Sequence, residues 1–308
     1  MMPEDGGGTL RDVVDRLCAA QHDRFSRSPS DPRLVLPSRE AVVRIVEALR
    51  SALFPGYFGD REFDEDSVRF HVGATLDRVG VELQEQIRRG LCSNCEEPDP
   101  VRCPRCETEA AVITRTFLER LPEIRRVLGT DVQAAYNGDP AAGSPAETIL
   151  CYPGILAVTN YRLAHELYQL GVRLVPRMMT EYAHSITGID IHPGTKIGEY
   201  FFIDHGTGVV IGETAVIGDR VRIYQGVTLG AKSFPLDAHG HPIRGIPRHP
   251  IIEDDVIIYS GATILGRVTI GANSIIGGNV WVTHDVPRNG RVSQVEARRS
   301  EFAGGAGI

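Results

Sequence analysis

A six-residue repeat of aliphatic positions runs through the second half of the chain, with a small or β-branched residue four positions after many of them. The repeating positions are Ile191, Ile197, Ile203, Ile211, Ile217, Ile223, Leu229, Ile252, Ile258, Ile264, Ile270, Ile276 and Val282. Neither a helical period of about 3.6 nor a strand period of about 2 gives this spacing. Strands of an ordinary sandwich would not keep this register on both sides of the interruption after Leu229. The pattern therefore predicts a parallel β-helix, in which three hexapeptides complete one triangular coil.

The first half of the chain carries the spacing of amphipathic helices. Ser38 is a predicted N-cap, and four further segments repeat the helical spacing. These segments cover 67–90, 107–140, 153–172 and 175–186. Pro122 is expected to interrupt the second of them. We therefore predict an α+β protein with an α-helical domain over 1–185, a β-helix domain over 186–287 and a C-terminal tail over 288–308.

Composition and charge exclude some classes of function. The chain has 308 residues, of which 42% are hydrophobic, and a net charge of −7. An acidic chain has no electrostatic basis for binding nucleic acid or an anionic membrane surface. No apolar run approaches the roughly 20 residues that span a bilayer, and no apolar signal region is visible near the N-terminus. We therefore expect a cytoplasmic protein whose six cysteines stay reduced.

Four of the cysteines form two Cys-x-x-Cys pairs in an insert over 92–106. The four are Cys92, Cys95, Cys103 and Cys106. Two such pairs are typical of a tetrahedral structural zinc site, although the gap between them is shorter than in a zinc ribbon. A metal-free loop and a set of redox-sensitive thiols are the alternatives. Cys18 and Cys151 are expected to be buried as small apolar side chains.

Polar residues interrupt the repeat where chemistry is expected. Asp204 and His205 lie in the run IDHGTG, and a polar excursion after Leu229 ends with Arg248 and His249. A histidine that titrates near neutral pH is a natural general base, and a carboxylate on its other nitrogen stabilises the imidazolium. Asp190 precedes His205 by fifteen residues, slightly less than one coil of about eighteen. The two residues are therefore predicted to lie on adjacent coils.

The run over 180–230 resembles serine O-acetyltransferase, a bacterial and plant family that makes O-acetylserine for cysteine synthesis. The resemblance covers roughly 131–282 and is carried by the motifs GIDIHPG, DHGTGVVIGET, YQGVTLG and RHP. It implies a left-handed parallel β-helix, although left-handed crossovers are exceptions among parallel strands. It also implies an acetyl-CoA-dependent transferase site at the seam between subunits.

The resemblance assigns roles to individual residues of this chain. It implies a catalytic dyad made of His205 and Asp190. It implies a clamp for the substrate amino acid, made of Asp139, Asp204, Arg248, His249 and the supporting Glu213. It implies contacts with acetyl-CoA at Gly230, Ala231, Ser260 and Gly261.

The resemblance also implies partners. L-serine is the expected acceptor, L-cysteine a feedback inhibitor, and the subunit arrangement a homotrimer or a dimer of trimers. A tail that ends in isoleucine, here Ile308, enters the active site of O-acetylserine sulfhydrylase in many members of the family. The alternatives are a β-helix acyltransferase for sugars or antibiotics, a metalloenzyme of the carbonic anhydrase kind that uses three histidines, and a non-catalytic scaffold for a partner enzyme.

Overall fold

The computed structural model describes residues 9–19, 36–58, 64–93, 95 and 103–294. Within these residues, helices occupy the N-terminal half and short strands the C-terminal half, which confirms the predicted α+β class. The helices are α1 (Leu10–Ala19), α2 (Arg39–Leu53), α3 (Glu65–Cys92), α4 (Pro104–Gly138), α5 (Pro145–Cys151), α6 (Pro153–Gln169) and α7 (Leu174–Thr187). None of these helices is long and apolar enough to cross a membrane.

Local sequence signals explain where the helices begin. The Ser38 hydroxyl accepts a hydrogen bond from the backbone N–H of Ala41, which caps α2 as predicted. The expected break at Pro122 is wrong, because α4 continues through this residue. A proline inside a helix removes one backbone hydrogen bond, but the buried side chains of Leu121 and Ile124 on either side hold α4 in the core.

The second half of the chain winds into a parallel β-helix with three faces. Its strands are β1 (Asp190–Ile191), β2 (Lys196–Ile197), β3 (Phe202–Asp204), β4 (Val210–Ile211), β5 (Val216–Ile217), β6 (Arg222–Tyr224), β7 (Thr228–Gly230), β8 (Ile251–Ile252), β9 (Ile257–Ile258), β10 (Thr263–Leu265), β11 (Thr269–Ile270), β12 (Ile275–Ile276), β13 (Trp281–Val282) and β14 (Arg291–Val292). Sheet 1 has the order β1-β4-β7-β10-β13, sheet 2 has β11-β8-β5-β2, and sheet 3 has β14-β12-β9-β6-β3. From β1 to β13, successive strands visit sheets 1, 2 and 3 in turn, as a repeat of three hexapeptides predicts, and β14 then joins sheet 3.

The predicted aliphatic positions form the interior of the coil. Ile191 pairs with Ile211, which pairs with Leu229, so that equivalent side chains stack along sheet 1. Except for the half-buried Ile197, every repeat position is buried. Complete burial of one such side chain contributes about 1.5–3 kcal/mol, so the stack is the main source of stability in this half.

The helical half and the β-helix share one continuous apolar core. At the boundary, Asp131 of α4 and Arg162 of α6 form a buried ion pair, and the Phe201 N–H donates to Asp131 Oδ1 at 3.0 Å. The last helix ends at Thr187 and the first strand begins at Asp190. The predicted domain limits at 185 and 287 stay predictions, and residues 295–308 of the predicted tail, including Ile308, lie outside the described residues.

Candidate active site

The predicted site residues of the β-helix lie at two of its three corners. We call the turns from sheet 3 to sheet 1 the histidine corner, which comprises residues 205–209, 225–227 and 259–262. We call the turns from sheet 1 to sheet 2 the arginine corner, which comprises residues 192–195, 212–215, 231–250 and 266–268. Because sheet 1 separates the two corners, the two groups of residues described below belong to different edges of one chain.

His205 stands on a turn that is longer than the turns stacked beside it. Ile203 and Ile211 are eight positions apart, whereas the spacing across the two turns stacked beside this one, Ile223 to Leu229 and Ile258 to Ile264, is six. His205 has a φ of 57°, a left-handed backbone conformation that is uncommon for a residue other than glycine and that Tyr200 and Arg220 also adopt. Gly206 and Gly208 continue the turn with positive φ. The His205 side chain is 74% exposed, so the imidazole is available to a substrate.

Two carboxylates flank His205. Asp204 is 8% exposed, and its Oδ1 lies 3.8 Å from His205 Nε2. Asp139 follows α4 and accepts hydrogen bonds from the Tyr152 hydroxyl at 2.6 Å and the Ala141 N–H at 2.8 Å. These hydrogen bonds, with that of Tyr152 the stronger influence, lower the pKa of Asp139. Asp139 is therefore negatively charged at neutral pH, as a residue that holds an ammonium group must be.

Arg222 belongs to the same cluster and was missed by the sequence reasoning. Its Nη2 donates to Asp204 Oδ2 at 2.9 Å, and its guanidinium lies over the rings of Phe202 and Tyr224, at 5.1 and 4.8 Å from their centroids. The available signal in the sequence was its position 18 residues after Asp204, which is one coil of the repeat. In the structure, the strand of Arg222 pairs directly with the strand of Asp204. Arg222 offsets one of the two carboxylate charges. The remaining charge of Asp139 and Asp204 matches a single ammonium group.

Asp190 begins β1 at the same corner, one coil before His205. Its N–H donates to Val209 O at 2.9 Å, which stacks β1 against the end of the long turn. The Asp190 carboxylate lies within 4.8 Å of Glu181 and His184 of α7. Among the described residues, no hydrogen bond joins Asp190 to His205. Asp190 and His205 thus lie on adjacent coils, as their spacing predicted, and the catalytic dyad itself stays a prediction.

The arginine corner holds an ion pair. Arg248 Nη2 donates to Glu213 Oε2 at 2.7 Å, and the Tyr168 hydroxyl donates to Glu213 Oε1 at 3.2 Å. Partial burial opposes ionisation of Glu213, but the hydrogen bond from Arg248 lowers its pKa overall. The Arg248 N–H donates to the Thr214 hydroxyl at 2.8 Å, which fixes the backbone of this turn. Glu213 therefore orients the guanidinium of Arg248, and its role in substrate binding stays a prediction.

His249 is buried beside Arg248 in a neutral form. The Thr214 N–H donates to His249 Nδ1 at 3.0 Å, so that the ring hydrogen is on Nε2. Gly212 lies against the ring, because a Cβ at this position would stand 2.1 Å from it. Burial, followed by the charge of Arg248, lowers the pKa of His249 to about 4. His249 can therefore donate a hydrogen bond at neutral pH, but it cannot serve as a base.

The polar excursion of the arginine corner folds into a hairpin. The Asp237 N–H donates to His241 O at 2.8 Å, and the Ile243 N–H donates to Pro235 O at 2.8 Å. A cavity separates this hairpin from the ion pair, and its lining consists of Glu213, Phe234, Pro242, Ile243, Arg244, Gly245 and Arg248. The cavity gives Arg248 a space with apolar walls in which a carboxylate can be bound.

The four residues predicted to bind acetyl-CoA are also divided between the two edges of sheet 1. Gly230 is the last residue of β7 and Ala231 the first of the excursion in the arginine corner, whereas Ser260 and Gly261 lie in the histidine corner. The Gly261 N–H donates to Gln225 O at 2.9 Å, so this amide is not available to a ligand. Gly261 has a φ of 69°, and its lack of a side chain leaves room for close approach.

The predicted zinc residues meet in the helical half. Sulfur atoms of Cys95, Cys103 and Cys106 lie within 4.8 Å of one another, and Cys92 is buried in the same cluster. The expectation that Cys151 is buried is wrong. It lies exposed at the end of the short helix α5, which contributes other side chains to the core.

Comparison with known proteins identifies relatives of the whole chain. The family model "Bacterial transferase hexapeptide (six repeats)" matches residues 249–284. The protein named "Serine acetyltransferase, plasmid" from Synechococcus elongatus is 55% identical over 302 residues, which cover 97% of this chain and 95% of that protein.

Solved structures agree with this assignment. Serine acetyltransferase 1 of Entamoeba histolytica, in complex with L-cysteine, has a TM-score of 0.71 and 41% identity, and the match covers 84% of this chain and 87% of that chain. Serine acetyltransferase of Neisseria gonorrhoeae, in complex with serine, has a TM-score of 0.53 and 28% identity, with 83% and 97% covered. The chain thus belongs to the serine acetyltransferase family.

Proposed function

We propose that this enzyme transfers the acetyl group of acetyl-CoA to the hydroxyl of L-serine, giving O-acetyl-L-serine and CoA. The observation that carries the proposal is the pair of oppositely charged corners. The histidine corner offers an exposed base and two carboxylates for an ammonium group. The arginine corner offers Arg248 and the neutral His249 for a carboxylate.

A complete site requires two copies of the chain. Sheet 1 lies between the two corners, and we infer that serine is held by the histidine corner of one chain and the arginine corner of another. The division of the predicted acetyl-CoA residues between the same two corners supports the same arrangement. We propose that the histidine corner of one subunit faces the arginine corner of the next in a trimer, alone or paired with a second trimer.

The proposed chemistry uses His205 as general base. One ring nitrogen takes the proton of the serine hydroxyl while the serine oxygen attacks the thioester carbonyl. Asp190 accepts a hydrogen bond from the other nitrogen and stabilises the imidazolium. The tetrahedral intermediate then expels the CoA thiolate, which takes the proton from His205. Asp139 and Asp204 hold the ammonium group of serine, and Arg248 and His249 hold its carboxylate.

We also propose that L-cysteine competes with serine. The two amino acids share the ammonium and carboxylate groups that the clamp binds, and they differ only in sulfur for oxygen. The complexes of the Entamoeba protein with L-cysteine and of the Neisseria protein with serine support this proposal.

Release of free CoA from acetyl-CoA is the direct test of the function. We expect release that depends on L-serine and is absent with sugars or chloramphenicol, and no hydration of carbon dioxide. L-cysteine in the same assay should raise the KM for serine without changing kcat. Release with a sugar acceptor and not with serine would assign the site to another acyltransferase reaction.

The remaining proposals concern partners and location. We propose that the residues ending at Ile308 bind O-acetylserine sulfhydrylase, because a terminal carboxylate beside an aliphatic side chain suits an amino-acid site. We place the enzyme in the cytoplasm, where acetyl-CoA is available. Titration of the sulfhydrylase with the full chain and with a variant lacking Ile308 should give binding only by the full chain. Equal binding by both would disprove the role of Ile308.

A further inference from the structure

We propose that the four cysteines of the 92–106 insert bind a structural zinc ion as thiolates. The insert joins the end of α3 to the start of α4, in the helical half of the molecule. The proposed acetyl transfer uses none of its side chains. The assignment rests on the separations of the sulfur atoms, on their burial and on the donors that surround them.

The separation of two of the sulfur atoms fits ligands that share one metal ion. Two thiolates bound to one tetrahedral zinc at about 2.3 Å lie roughly 3.8 Å apart. The Sγ atoms of Cys95 and Cys103 are 3.7 Å apart. Disulfide-bonded sulfur atoms lie only about 2.05 Å apart, so Cys95 and Cys103 are not disulfide-bonded, and their separation is compatible with two ligands of one zinc ion.

The other two cysteines of the insert lie beside this pair. Cys106 Sγ lies within 4.8 Å of the sulfur atoms of both Cys95 and Cys103. Cys92 lies outside this mutually close group of three sulfur atoms, but it packs against Cys103 and Cys106 from the last turn of α3. Cys92, Cys103 and Cys106 are 5%, 3% and 5% exposed, and Cys95 is half-buried. A cluster of four thiols is thus enclosed by the fold at the junction of the two helices.

Hydrogen-bond donors lie beside two of the four sulfur atoms. The Cys106 N–H donates to Cys103 Sγ at 3.4 Å, so that Cys103 caps the N-terminus of α4. This end of the helix carries partial positive charge, which stabilises an adjacent thiolate. Arg88 Nη1 donates to Cys92 Sγ at 3.8 Å. A zinc ion with four thiolates has a net charge of about −2, and the helix terminus and Arg88 both offset it.

The proposed role of the ion is to fasten two long helices. α3 and α4 have 28 and 35 residues and pack against each other. Cys92 is the last residue of α3, and Cys103 directly precedes α4. One ion bound at the end of α3 and at the start of α4 holds these two helices together. Loss of the ion is therefore expected to loosen the helical half without removing any residue of the proposed active site.

Metal analysis of the full chain, purified without chelators, tests the proposal. We expect one zinc ion per chain, and loss of that ion in both Cys95→Ser and Cys103→Ser. The matched control is Cys151→Ser, because Cys151 is exposed and outside the cluster, and it should keep the zinc. Exchange with cobalt should give the visible absorption bands of a tetrahedral thiolate complex, and this readout is available even if the serine variants fold poorly.

Three results would overturn the proposal. They are a wild-type chain without stoichiometric metal, a chain that contains iron instead of zinc, and zinc that persists in both cluster variants. Zinc content is measured independently of acetyl transfer, so failure of this proposal and failure of the proposed function are distinguishable.

Discussion

Replacement of His205 by alanine is expected to lower kcat for acetyl transfer by about 10²- to 10⁴-fold, the usual contribution of a general base. The side chain is 74% exposed on a corner turn, so its removal leaves no cavity in the core. We therefore expect the assembly and the thermal stability of the variant to be unchanged. Steady-state release of CoA with saturating serine is the measurement. A kcat near that of the wild type would show that another group is the base.

The matched control for this variant is His284→Ala. His284 is also exposed and lies after β13, outside both corners. Its removal should leave kcat unchanged. Asp190→Asn should lower kcat with little change in the KM for serine, because Asp190 acts through His205 and does not contact serine in the proposed mechanism.

The His205→Ala variant also tests whether the active site lies between subunits. Arg248→Ala should also be nearly inactive, because the serine carboxylate then has no charged partner. Coexpression of His205→Ala with Arg248→Ala should restore part of the activity. In mixed trimers, some subunit interfaces join the intact histidine corner of an Arg248→Ala chain to the intact arginine corner of a His205→Ala chain. Absence of any recovery in mixed trimers that are shown to form would place both residues in one chain's site.

The periodic part of the fold was predictable from sequence, because each inward side chain contacts its equivalent one coil away. The six-residue aliphatic repeat therefore predicts strand pairings such as that of Ile191 with Ile211. The extra residues around His205 were visible as an eight-residue spacing, but Thr207, the β-branched residue four positions after Ile203, is exposed there. Val209 is buried in its place, since the longer turn displaces the register by two positions.

The arrangement of the site was less predictable, because it depends on which corner each turn occupies. The motifs named Asp204 and Arg248 without revealing that sheet 1 separates them. Arg222 was missed because an arginine on a short strand resembles any solvated charge until its strand is paired with that of Asp204. The ion pair of Asp131 and Arg162 was invisible for a similar reason, since its partners lie on different helices, 31 positions apart.

Replacement of Asp131 by asparagine is expected to destabilise the protein by about 3–5 kcal/mol, the usual cost of leaving a buried charge without its partner. Asp131 is fully buried, and it accepts hydrogen bonds from Arg162 Nε at 2.5 Å and from Nη2 at 2.8 Å. Arg162 Nη2 also donates to Gly198 O at 2.7 Å, which ties α6 to the first coil of the β-helix. Loss of the carboxylate therefore affects the junction of the two halves. The measurement is the midpoint of urea unfolding at one fixed protein concentration.

The control for this substitution makes the same chemical change at an exposed ion pair. Asp255 accepts a hydrogen bond from Arg220 Nε at 2.7 Å, and the two side chains are 40% and 50% exposed. Asp255→Asn should cost only about 0–1 kcal/mol, because solvent screens exposed charges. If the cost of Asp131→Asn arises from the unpaired charge of Arg162, then replacing Arg162 by methionine in the same chain should recover part of the loss. Equal midpoints for Asp131→Asn and Asp255→Asn would show that the buried pair does not hold the two halves together.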